Sequence, residues 1–140
     1  MSKWSDPSKL KTLPNPDKRG YEIQIEVPEL TFEGVGKQPD FGKLFIVIYP
    51  GERILELKSL KEYKDDLRNR IVSYERLANV VYDDLMQALQ PIRLRLSLVL
   101  QPRGGIRSKL VIDSDWSTRG GKEVFADWKS NLPTQIVEEA

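Results

Sequence analysis

The sequence contains no cysteine and no histidine. Without them no disulfide can form, no thiolate can act as a nucleophile and no imidazole can act as a general base. Structural zinc loses its usual thiolate and imidazole ligands as well, so no metal is expected. Any catalysis must rest on carboxylates, lysines, hydroxyls or backbone amides. A strong charge of either sign is also missing, with 22 Lys+Arg against 21 Asp+Glu and a formal net charge of +1. Chains that hold nucleic acid by bulk electrostatics carry a large basic excess, so a nucleic-acid partner is not expected. The local exception is residues 92–109, with five Arg or Lys and no acid. No apolar run reaches the roughly 18 residues that would suggest a bilayer span. The opening Met1-Ser2-Lys3-Trp4-Ser5-Asp6 lacks a signal-peptide pattern. These absences lead to the expectation of a soluble cytoplasmic chain without a membrane partner, and its 140 residues suit one domain.

Periodicity then divides the chain. Residues 1–20 are polar, carry Pro7, Pro14 and Pro16, and are expected to form an extended arm. Tyr21, Ile23, Ile25 and Val27 alternate with Glu22, Gln24 and Glu26, which predicts a strand with one wet face. Residues 28–42 are punctuated by glycine and proline and predict a loop. An apolar strand is expected over residues 43–49, ending at Pro50-Gly51, with 54–57 extending it past that turn. Leu60, Tyr63, Leu67 and Ile71 form a helical stripe. A second helix follows, with Ser73 as N-cap, Leu77, Val80, Val81, Leu85, Ala88 and Leu89 on its buried face, and Pro91 as its stop. Ile92, Leu94, Leu96, Leu98 and Leu100 alternate with Arg93, Arg95 and Ser97, the strongest strand signal in the chain. A Pro102-Arg103-Gly104-Gly105 loop leads to a last strand over 106–113. Residues 114–140 read as a C-terminal extension with one short helix near 124–129. The order β-β-α-α-β-β predicts an α+β domain over 21–113, with two helices on one face of an antiparallel sheet. Such a sheet has two open edges, and pairing them between copies predicts a symmetric homo-oligomer.

Several groups of residues could carry chemistry, each with a plainer reading beside it. The 28–42 segment holds Glu29, Thr31, Glu33 and Asp40, which could be functional or could merely keep a connection soluble. Lys58 and Lys61 stand near the start of the first helix, where free backbone amides could hold phosphate. The plainer reading is a charged face laced by Lys58–Glu62 and Lys61–Asp65 pairs. Glu75 in the first turn of the second helix favours the helix dipole. An ionised carboxylate there can also accept two N–H bonds from a guanine-type edge. Arg103-Gly104-Gly105 suits either a hairpin needing positive φ or close backbone approach to a ligand.

The order of these segments is more specific than any one of them. Leu13-Pro14-Asn15-Pro16, Pro28-Glu29-Leu30-Thr31, Gln38-Pro39-Asp40-Phe41, Glu56-Leu57-Lys58-Ser59-Leu60-Lys61 with Tyr63, Arg68-Asn69, Glu75, Asp83-Asp84-Leu85 and Pro102-Arg103-Gly104-Gly105-Ile106 occur in succession. Together they resemble the 7-cyano-7-deazaguanine reductases (QueF), single-module type, of the tunnelling-fold superfamily. The resemblance runs from about Leu10 to Asp113. It implies reduction of a nitrile to an amine with NADPH, converting 7-cyano- to 7-aminomethyl-7-deazaguanine for queuosine in tRNA. It also implies pentameric rings that stack into decamers. In the family a cysteine attacks the nitrile and an aspartate, matching Asp40, donates a proton. A glutamate matching Glu75 holds the base. Glu56, Lys58, Ser59 and Lys61, with Arg103, Gly104 and Gly105, match the cofactor region.

Two positions depart from the pattern. The family cysteine maps to Glu33 when counted back from Gln38 and to Gly34 when counted forward from Pro28, because this segment is one residue shorter. The histidine preceding the family glutamate is here Tyr74, which stays a candidate for contact with the base. A carboxylate at position 33 would be a far poorer nucleophile than a thiolate. The expectations are therefore a reductase by resemblance, a noncovalent deazaguanine- or pterin-binding protein or scaffold paralogue, or altered chemistry with Glu33 and Asp40 as a carboxylate pair activating water.

Overall fold

In the computed structural model, residues 3–36, 38–102 and 104–115 are described. The expected C-terminal extension beyond 115, its short helix and Arg103 lie outside them. The elements run β1 (Thr12–Pro14), β2 (Ile23–Glu33), β3 (Pro39–Tyr49), β4 (Arg53–Leu55), α1 (Leu57–Asp66), α2 (Tyr74–Leu89), β5 (Arg93–Leu100) and β6 (Lys109–Asp113). Four strands form one antiparallel sheet in the order β2-β3-β5-β6, and β1 pairs with β4 in a separate two-stranded sheet. This is the α+β architecture that the alternation predicts, with β2 and β6 as the edge strands of the sheet among the described residues. No helix among the described residues is long and apolar enough to cross a membrane.

The sheet turns one apolar face toward the helices. Leu44, Ile46 and Ile48 of β3 and Leu94, Leu96 and Leu98 of β5 meet Leu60, Tyr63, Leu77, Val81, Leu85 and Leu89 in one core. Each such side chain contributes about 1.5–3 kcal/mol on full burial. Ser73 caps α2 as expected, its hydroxyl accepting from Arg76 N at 3.2 Å. Helix α2 ends at Leu89 and is capped by Gln90, whose φ of 45° breaks the helical path one residue before Pro91.

Three expectations change. Residues 28–42 are mostly not a loop: β2 runs on to Glu33 and β3 begins at Pro39, joined by a short turn. Proline is admitted because β2 is an edge strand and its register shifts between Val27 and Leu30, an irregularity that lets both face the core. Residues 53–55 do not extend β3 but pair with Thr12–Pro14, and Leu10 is buried in the core, so part of the expected arm is docked. Ile71 leaves the helical stripe because α1 ends at Asp66 and tightens into a 3-10 turn over Leu67–Asn69. It lies exposed in a parallel bridge to Glu33.

Candidate functional site

The extended hairpin of β2 and β3 carries Glu33 and Asp40 close to the start of α2. Glu33 N donates to Arg70 O and Val72 N donates to Glu33 O, both at 3.0 Å, tying the hairpin tip to the segment that enters α2. In the register, Asp40 stands opposite Phe32 and Glu33 opposite Pro39. Alternation along a strand sends these positions to opposite faces. The expected Glu33–Asp40 carboxylate pair is therefore not formed by this register.

Gly34 is the residue that sits against Asp40. Its N–H donates to Gln38 O at 2.9 Å, closing the turn. A Cβ on Gly34 would lie 2.5 Å from Asp40 Oδ2 and 3.4 Å from its Cγ. Gly34 is not among the positive-φ glycines, so space rather than backbone conformation favours glycine here. Gly104 and Gly105, at φ 59° and 77°, are the positive-φ glycines among the described residues, and they carry the turn toward β6.

Helix α2 positions the next pair. The hydroxyl of Tyr74 donates to Leu98 O at 3.1 Å, and burial raises its ionisation above the ordinary tyrosine value. This bond ties the start of α2 to β5 and fixes where the Tyr74 ring stands. Glu75 is exposed, and among the described residues no hydrogen bond or ion pair engages its carboxylate. It opens on a cleft of about 430 Å³ shared with Trp4, Ser73, Arg76, Asn79, Val80 and Asp83. Neither Glu33 nor Asp40 lines that cleft.

The motif at α1 divides into structural and exposed members. Glu56 is the N-cap, accepting from Ser59 N at 3.1 Å. Ser59 is buried, its Oγ accepting from Lys11 N at 2.9 Å and donating to Glu56 O at 2.7 Å. Glu56 and Ser59 therefore start the helix and pin the N-terminal segment, and Ser59 has no hydroxyl left to offer a cofactor. Lys58 and Lys61 are exposed, and Lys61 pairs with Asp65 at 3.1 Å as the spacing predicts. A cleft of about 320 Å³ lies between the β2 edge and α1, lined by Val27, Glu29, Leu57, Lys61 and Lys64 among others. Glu29 and Thr31 also border a cavity of about 300 Å³ with Phe41, Lys43 and Gln101. No group of residues among those described could hold a metal ion.

Two clusters escaped the sequence reading. Asp84 Oδ2 accepts from Tyr63 OH at 2.6 Å and from Ser5 Oγ at 2.7 Å, joining α1, α2 and the N-terminal segment. Burial, followed by the bond to Asp84, pushes the Tyr63 hydroxyl far above its ordinary ionisation. Asp113 is wholly buried and accepts from Arg93 at 2.8 Å and Arg95 at 3.0 Å. Its burial alone would raise the carboxyl, but the bonds from Arg93, Asp115 N and Arg95 outweigh this and lower it. The available signal was an acid at the end of a predicted strand facing two arginines on its neighbour.

Comparison with known proteins adds an independent line. The profile of the QueF-like protein family matches residues 39–119. The NADPH-dependent 7-cyano-7-deazaguanine reductase of Prochlorococcus marinus strain SARG is 42% identical over 101 residues, covering 69% of this chain and 73% of that protein. The enzyme of the same name from P. marinus strain MIT 9515 is also 42% identical, over 112 residues, covering 76% of this chain and 80% of its own. Among solved structures, the apo archaeosine synthase QueF-Like superposes with a TM-score of 0.64 at 17% identity, covering 69% of this chain and 96% of that one. At that identity the likeness concerns the fold, and it agrees with the tunnelling-fold arrangement of sheet and helices.

Proposed function

The chain belongs to the QueF-like family, and from that premise we propose that it binds a 7-deazaguanine base without forming a covalent bond to it. The observation that carries this reading is Glu75. Its carboxylate is exposed at the head of α2, opens on a cleft and is engaged by no described partner. Two oxygens so placed can accept the adjacent N–H groups of a guanine-type edge. The negative charge also sits favourably at the positive end of the α2 dipole.

The base is held but not attacked. A thioimide needs a sulfur nucleophile, and the sequence has none. Gly34 is the proposed counterpart of the missing nucleophile position, because a side chain added there would meet the carboxylate of Asp40 across the hairpin turn. Asp40 is then the acid proposed to face the ligand's substituent. The cleft at Glu75 is not lined by Asp40, so bringing both to one ligand calls for a composite site. The position of β2 and β6 as edge strands among the described residues supports assembly of several copies, in the form of a pentameric ring or two such rings stacked. The cytoplasm is the proposed compartment.

NADPH-dependent reduction is the second reading, favoured by the names of the relatives. The residues present fit the phosphates of such a cofactor in Lys58 and Lys61, both exposed near the start of α1. Ser59 does not fit, since its hydroxyl is spent. When bound, NADPH would supply a hydride.

Calorimetry with 7-cyano-7-deazaguanine distinguishes the readings. The expected result is saturable binding that Glu75→Ala removes, with an unchanged intact mass and no oxidation of NADPH at 340 nm. Absence of heat would overturn base binding. Turnover of NADPH dependent on the nitrile would replace the noncovalent reading with the second.

A further inference from the structure

Trp4 stands in a polar N-terminal stretch, yet several contacts hold that stretch in place. Ser5 Oγ donates to Asp84 Oδ2 at 2.7 Å, Asp6 caps the short 3-10 turn Pro7–Lys9, and Leu10 enters the core. The indole is only partly buried and packs at the margin of that core. The guanidinium of Arg76 lies over the ring, 4.4 Å from its centroid, with Lys3 Nζ at 5.2 Å. Among the described residues Arg76 forms no ion pair, so its described partner is the indole. Stacked contacts of this kind fix the orientation of both groups.

The same indole lines the cleft on which Glu75 opens. The polar lining of that cleft combines acceptors with the Arg76 guanidinium that lies over the indole. Glu75 and Asp83 supply carboxylates, and Asn79 donates one Nδ2 hydrogen to Glu75 O at 2.8 Å, which fixes the amide and keeps Oδ1 as an acceptor. Carboxylates beside an aromatic ring suit a planar heterocycle that presents adjacent N–H donors at one edge. We propose that Trp4, oriented by Arg76, is the wall against which the ring of such a ligand lies while Glu75 takes its N–H edge. The inference rests on the base-binding reading of Glu75 and adds to it a residue from the N-terminal segment. It also gives that segment a role in ligand affinity rather than in folding alone.

The test uses the full chain carrying Trp116→Phe and Trp128→Phe, which leaves Trp4 as its one indole. Titration with 7-cyano-7-deazaguanine is expected to change the Trp4 emission saturably, with the Kd found by calorimetry. Stacking on an aromatic side chain predicts a loss of affinity of about tenfold or more in Trp4→Ala, and of about threefold or less in Trp4→Phe. Xanthine, which lacks the 2-amino group, is expected to bind more weakly to the parent chain. Circular dichroism should show each variant folded at the assay temperature, with Trp4→Phe melting closer to the parent than Trp4→Ala because the indole packs on the core margin. A Kd in Trp4→Ala within twofold of the parent, with binding still lost in Glu75→Ala, would overturn the role of Trp4 and leave the base reading standing. Failure of the parent chain to bind would overturn both.

Discussion

A cysteine placed at position 34 should be held protonated by Asp40, and the size of that effect can be worked from the geometry. A Cβ at this position lies 2.5 Å from Asp40 Oδ2, closer than real contacts allow, so the carboxylate must rotate aside. The atom displaced is the end of a side chain rather than backbone, and the φ of Gly34 is not in the left-handed region, so Gly34→Cys should fold. With the sulfur taken at roughly 4 Å from the displaced carboxylate, Coulomb's law sets the scale of the effect. Two like charges at that distance repel by about 1 kcal/mol in water and about 4 kcal/mol at an effective dielectric of 20. At 1.36 kcal/mol per pH unit, the thiol should rise by about 0.7 to 3 units from its ordinary value near 8.5. The rate of alkylation by iodoacetamide against pH, followed by intact mass, measures this directly. The parent chain contributes no background because it has no cysteine. Glu33→Cys, on the opposite face of the hairpin, should titrate near the ordinary value. Adding Asp40→Asn to Gly34→Cys should bring its thiol back down. Equal titration of the two single variants, or indifference to Asp40→Asn, would refute the placement of Gly34 against Asp40.

Other outcomes follow from the packing. Gly42→Ala should destabilise by about 2–3 kcal/mol in urea denaturation, since its Cβ would meet the backbone oxygen of Val99 at 2.8 Å and neither strand can yield. Tyr63→Phe should cost about 1.5–2 kcal/mol by the same assay, because the Asp84 carboxylate loses the bond donated by a buried hydroxyl. Asp113 is lowered in the folded state, so its contribution is full above its unfolded value near 3.9 and fades as pH falls through the folded value. The stability of the parent chain should therefore drop more steeply below about pH 4 than that of Asp113→Asn, which should already be weaker at neutral pH; parallel acid profiles would contradict this. Glu56→Ala should lower the melting stability by about 1 kcal/mol through loss of the α1 cap.

Local signals carried through where one face of an element is buried by its own periodicity. The alternation of Leu94, Leu96 and Leu98 and the stripe of Leu77, Val81, Leu85 and Leu89 led directly to β5 and α2. Ser73 was legible for a similar reason, since a cap is a local interaction between a hydroxyl and an amide three residues on. The segment 28–42 was misread because Pro28, Gly34 and Gly36 are loop signals in isolation. An edge strand with an irregular register tolerates the proline, and pairing with β3 supplies the bonds that the local sequence cannot. Ile71 was misassigned because a 3-10 turn ends the helical phase four residues earlier, and spacing alone does not register that turn.

At the site, residue identities and backbone-independent chemistry were settled by the sequence itself. The lack of cysteine and histidine closes thiolate and imidazole routes in any conformation, and the ordered motifs fix the family. Which of those residues remain available to a ligand was decided by the tertiary structure. Glu56 and Ser59 are consumed in a cap and Tyr74 in a bond to β5, while Glu75 stays open beside Trp4 from the far N-terminal segment. Hydrogen-bonding capacity is finite, and contacts between residues some 70 positions apart determine how it is shared out. A linear pattern identifies the chemical groups, but only the packed chain shows which are already satisfied.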